Sequence, residues 1–110
     1  MTQFDNTEKQ ALMKTEIIEM LHLIIDPELQ INIIDMGLVY SVDLNEEEKK
    51  ITIEMTLSSP NCPMGASIVG AVENCMEHNF SKYTAVVNLV WQPAWSYECI
   101  SEEGKRLLGM

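Results

Sequence analysis

Two runs of strict alternation dominate the middle of the chain. Leu38, Tyr40, Val42 and Leu44 alternate with Val39, Ser41 and Asp43, and Ile51, Ile53, Met55 and Leu57 alternate with Thr52, Glu54 and Thr56. A period of two sends successive side chains to opposite faces, so each run reads as a strand with one apolar and one wet face. The intervening segment, Asn45 to Lys49, has turn composition and makes the pair an antiparallel hairpin. A half-wet sheet needs an apolar cover, and the flanking segments supply it.

Before the hairpin, Thr7 and Gln10 have capping-box spacing, and Met13, Ile17, Met20, Leu21 and Ile24 recur at helical intervals. Pro27 predicts an end to this helix near Ile25, because the residue before a proline is pushed out of the helical region. After the hairpin, 58–63 reads as a turn-forming loop with Pro63 suited to a first helical position. A second helix then runs to Asn79 with Ile68, Val72, Cys75 and Met76 in one stripe. The β-rich run 84–90 predicts a third strand, broken by Gln92-Pro93-Ala94-Trp95, and a short helix from Ser101 to Leu108 ends at Gly109. The order αββαβα predicts an α+β, two-layer α/β sandwich in which helices cover one face of a small, mainly antiparallel three-stranded sheet. The expected spatial order is 2-1-3, with the third strand returned to the free edge of the first.

The 110 residues suit one domain spanning 1–110, with a core from about residue 7 to 108. At this length the apolar core suffices for stability, so a metal would serve function instead of folding. Seventeen acidic against seven basic residues give a net charge of -10, which disfavours nucleic acid as a partner because phosphate binding needs clustered Lys and Arg. Glu46, Glu47 and Glu48 read first as a solvated turn and second as a docking patch for a basic protein. Cys62, Cys75 and Cys99 are odd in number and widely spaced, which speaks against a disulfide framework or a zinc ribbon and for a reduced compartment. No leader-like segment and no apolar run of membrane-spanning length occurs, so the expectation is a cytoplasmic protein with no membrane association.

Cys62 precedes the second helix, where unpaired N–H groups and the helix dipole favour a thiolate. From spacing alone, a reactive thiol and a small N-cap residue are both open. Cys75 falls on the buried stripe and reads as core, and Cys99 as structural. Asp26 and Glu28 bracket Pro27 at the C-terminal end of a helix, where the dipole does not favour carboxylates. They read either as a solvated polar turn or as members of a site. His22 and His78 have no partner at ligand spacing, and no serine-hydrolase pattern surrounds Ser58 or Ser59. Trp91 and Trp95 flank Pro93 as an aromatic corner that either closes a core edge or meets a partner.

Taken in order, Asp26-Pro27-Glu28, then Asn32-Ile33 through Met36-Gly37-Leu38-Val39-Tyr40, then Met55 to Pro63, then Trp91-Gln92-Pro93-Ala94-Trp95 resemble the SufT/PaaD-like family. The resemblance implies a small α/β sandwich that acts as an accessory factor in iron-sulfur cluster assembly and not as an enzyme. It singles out Cys62 as the reactive thiol and metal contact, with Asp26, Glu28 and Thr56 completing the site and no catalytic residue. Gln92 in place of an acid, and no cysteine-rich C-terminal extension, favour the general assembly branch. A stable cluster ordinarily takes four ligands, mostly thiolates. The expected cofactor is therefore a transient iron or iron-sulfur cluster, none tightly bound, held across a homodimer or between this chain and an assembly or carrier protein or client apoprotein. The alternatives are a metal-free adaptor and a thiol-redox protein using Cys62.

Overall fold

The computed structural model describes residues 6–58 and 65–109. Helix α1 spans Asn6–Leu21 and is followed by two short strands, β1 (Ile25–Asp26) and β2 (Ile31–Asn32). The predicted hairpin is β3 (Val39–Asn45) and β4 (Lys50–Met55). Helix α2 (Gly65–Asn79), strand β5 (Thr84–Leu89), a single 3-10 turn (Tyr97–Cys99) and helix α3 (Glu102–Leu107) complete the order. The expectation of a small mixed α/β domain holds, and a two-stranded β1-β2 ribbon is added to it.

The sheet order differs from the expected 2-1-3. The three long strands lie in chain order, β3-β4-β5, with β3 antiparallel to β4 and β5 parallel to β4. The sheet is thus evenly mixed and not mainly antiparallel. The physical reason lies in α2: it carries the chain back over the sheet so that β5 runs in the direction of β4, the geometry of a βαβ crossover. The outer edge of β3 is interrupted by a register shift between Val39 and Ser41, which makes it a poor template for a further strand.

That shift also corrects the facing of β3. Val39, Val42 and Leu44 stand opposite Met55, Ile53 and Ile51, so these three, and not Tyr40, share the core face of β4. Ile51, Ile53 and Met55 are fully buried, as alternation predicts, and Ser41 donates to Glu54 on the opposite face. Ile17 and Leu21 of α1 and Ile68, Val72 and Met76 of α2 close the same cluster, with Cys75 half-buried beside it. Helix α1 stops at Leu21, four residues before the expected end. Ile24 N–H bonds to Leu21 O in a tighter turn, and Ile25 is drawn into extended pairing with Asn32. Helix α3 starts as predicted: Ser101 caps it by accepting from Gly104 N–H at 3.0 Å.

Candidate functional site

The Asp26-Pro27-Glu28 element forms the tip of the β1-β2 ribbon. Asp26 O accepts from Gln30 N–H at 2.7 Å, and Gln30 takes a left-handed backbone with φ 59 to close the loop. Pro27 has no N–H, so the Asp26 carboxylate reaches past it: Oδ1 accepts from Glu28 N–H at 2.8 Å and more weakly from Leu29 N–H at 3.4 Å. The side chain is 1% exposed, which overturns the solvated-turn reading for this residue. Its other oxygen, Oδ2, is buried and has no hydrogen-bond partner among the described residues. A buried carboxylate oxygen left unmatched is costly, and such positions in native proteins call for an explanation.

Glu28 is exposed, and its Oε2 lies 3.4 Å from Ser58 Oγ, long for a hydroxyl donor but close enough to place the two side by side. Ser58 is the last described residue before 59–64, so the ribbon tip sits beside the chain just after β4. Cys62 falls outside the described residues. Thr56 is 1% exposed and bonds through its N–H to Leu38 O at 2.8 Å, while its hydroxyl reaches only Leu57 O at 3.5 Å. Backbone rungs continue from Leu38 N–H to Ile33 O and from Ile33 N–H to Ile24 O, which ties the β1-β2 ribbon to the end of β4. Asp26, Glu28, Ser58 and Thr56 therefore belong to one end of the fold.

A second polar cluster, which the sequence did not flag, braces the 32–38 turn. Asn32 donates to Asp35 Oδ2 at 2.7 Å and accepts from Asp35 N–H at 2.8 Å, while Ser101 donates to Asp35 Oδ1 at 2.8 Å. Hydrogen bonds from Asn32 and Ser101 hold the Asp35 carboxyl below its ordinary value despite partial burial. Trp95 Nε1 donates to Met36 O at 2.7 Å, and Tyr40 donates to Pro93 O at 2.7 Å. Burial, with the Cys99 thiol as a smaller contributor, pushes the Tyr40 phenol up. Trp95 is half-buried against the core, whereas Trp91 is 42% exposed, so the aromatic corner divides between the two roles considered for it. The Asx-type spacing of Asn32 and Asp35 was the one local signal for this cluster.

His22 and His78 are exposed, and His22 Nδ1 lies 2.9 Å from Ile18 O, one turn back in α1. Among the described residues no group of three or more His, Cys, Asp or Glu could hold a metal ion, and no helix is long and apolar enough to cross a membrane.

This small mixed α/β domain has known counterparts. Residues 14–79 match the family model described as iron-sulfur cluster assembly protein. The Staphylococcus aureus Fe-S protein maturation auxiliary factor SufT is 39% identical over 80% of this chain and 99% of its own length. The Bacillus subtilis auxiliary factor YitW is 35% identical over 92% of this chain and 98% of its own. A domain of unknown function from Bacillus anthracis superposes with a TM-score of 0.88 at 36% identity, covering 96% of this chain and 99% of that one. A Mycobacterium tuberculosis protein described as associated with Fe-S complex assembly and repair gives 0.51 at 31% identity, over 100% and 95%. The chain belongs to the iron-sulfur cluster assembly protein family.

Proposed function

We propose that this chain is a non-catalytic, cytoplasmic accessory factor in the maturation of iron-sulfur proteins, and that it holds iron or a cluster only in passing between a carrier and a client apoprotein. Relatives named as Fe-S protein maturation auxiliary factors support the role. Cys62 is the thiolate contact in this reading. Asp26 and Glu28 add carboxylate oxygens, and Thr56 a buried hydroxyl just beyond the end of β4. The observation that carries the proposal is Asp26 Oδ2, a buried acceptor without a partner among the described residues while its sister oxygen holds the turn. A hard oxygen and a soft thiolate together form a mixed, incomplete ligand set, which suits release more than storage.

Anaerobic reconstitution with ferrous iron and sulfide tests this on the wild type, Cys62→Ser and Asp26→Asn, read by visible absorbance, iron content and molecular mass. Chromophore and iron lost in Cys62→Ser and diminished in Asp26→Asn are the expected result. Wild-type protein that stays colourless and iron-free sinks the carrier reading and leaves an adaptor that works by surface contact alone.

A further inference from the structure

Strand β5 is the outer strand of the sheet on the side away from β3. Thr84 N–H bonds to Lys49 O and Val90 N–H to Met55 O, so the parallel ladder uses the even-numbered residues of β5. The alternation leaves the N–H and C=O groups of Ala85, Val87 and Leu89 pointing away from β4, with no described strand beyond them. Proteins ordinarily guard such an edge with charge, proline or a bulge. β3, the opposite edge, has its register shift and Asp43. β5, Thr-Ala-Val-Val-Asn-Leu, has neither charge nor proline nor register shift.

Beside the Leu89 end of this edge lies an open groove of about 510 Å³, walled by Leu57, Val69, Leu89 and Trp91, with Glu73 on its rim. Leu89 is 40% and Trp91 42% exposed, and an exposed tryptophan next to an apolar wall is the usual make-up of a binding anchor. The charge around the edge is graded. Glu73 lines the groove at the Leu89 end, whereas Lys50, paired with Thr84, and Lys82 stand at the other, and Glu54, paired with Asn88, lies on the opposite face with Ser41.

We propose that the free edge of β5 is a docking site for an extended, basic segment of a partner protein, which adds as a fourth strand and seats an apolar side chain in the Trp91 groove. The unpaired backbone groups select an extended peptide, the groove an apolar residue, and Glu73 a lysine or arginine beside it. A second copy of this chain, with its net charge of -10, is the wrong sign for this edge. The proposal does not depend on Cys62 or on iron.

Amide hydrogen exchange on the metal-free protein tests it, with an eight-residue synthetic threonine-based peptide carrying leucine and lysine two positions apart, on one face of the added strand, and a control carrying glutamate for lysine. In the free monomer, Ala85, Val87 and Leu89 amides are expected to exchange at least about 100-fold faster than those of Val86 and Asn88. The lysine peptide slows the first set and the glutamate peptide does not, and Glu73→Lys weakens the lysine peptide by about 10-fold. Leu89→Pro removes an outward N–H that the sheet does not use, so the fold survives and the added protection is lost. Glu73→Lys and the control peptide decide the matter if that variant does not fold. Unchanged β5 amides at saturating peptide overturn the proposal. So does a free protein that is dimeric with those amides already protected, which assigns the edge to a second copy.

Discussion

The two oxygens of Asp26 do different things, and substitutions can separate them. Asp26→Asn keeps an acceptor for Glu28 N–H, so stability is expected to stay within about 1 kcal/mol, while Asp26→Ala strips the turn of its acceptor and costs about 1–3 kcal/mol. Urea unfolding of both variants checks this, and an alanine variant as stable as the asparagine one means that the cap contributes nothing. Asp35 is held below the ordinary carboxylate value of 3.8 by Asn32 and Ser101. Its native value is lower than its unfolded one, so the stability it contributes is full above the unfolded value and is lost as pH falls through the native one. Between about pH 5 and pH 2 the wild type should therefore lose more stability than Asp35→Asn, measured as the pH slope of thermal midpoint. Asp26 was visible in the sequence as part of an Asp-Pro-Glu element, but its burial was not, since an acid before a proline reads as a wet turn. Ser101 was read only as a helix start, because its second role depends on a partner 66 residues away.

At the level of elements, local pattern carried most of the fold and failed where distant pairing decides. Strand β4 follows its apolar period at Ile51, Ile53 and Met55 and helix α2 at Ile68, Val72 and Met76, whereas Thr56, on the wet side of the alternation, is buried and Cys75 only half-buried. The bulge that turns Tyr40 away from the core, and the choice of β4 over β3 as neighbour for β5, are settled between segments and leave no mark on either segment alone. The 32–38 turn shows how tightly one such meeting is built. Gly37 has φ 76, and a Cβ there would lie 2.2 Å from Cys99 O. Gly37→Ala must both pay for a left-handed alanine and push the Tyr97–Cys99 turn off its seat, so a loss of about 2–4 kcal/mol is expected. The displaced turn should also raise Trp95 exposure, since Trp95 is anchored on the neighbouring Met36 O. Fluorescence that leaves Trp95 unmoved while stability falls would place the strain elsewhere.

The whole molecule carries -10 on one small core, and salt acts on that charge in two opposing ways. Within the chain, seventeen acidic residues against seven basic ones repel on balance, and folding draws that excess onto one compact surface. Screening lengths shrink from about 30 Å at 0.01 M to about 3 Å at 1 M, so added salt relieves that repulsion and should raise the thermal midpoint by several degrees. Between this chain and a basic partner segment, the same screening removes attraction. Association with the lysine peptide should slow steeply over the same range while dissociation, governed by the groove and the edge hydrogen bonds, changes little. Stability rising with salt as association falls is the signature of an acidic surface that serves recognition at the expense of the fold. If both quantities are flat from 0.01 to 1 M, charge is incidental to either, and partner choice rests on the apolar groove and the unpaired strand edge.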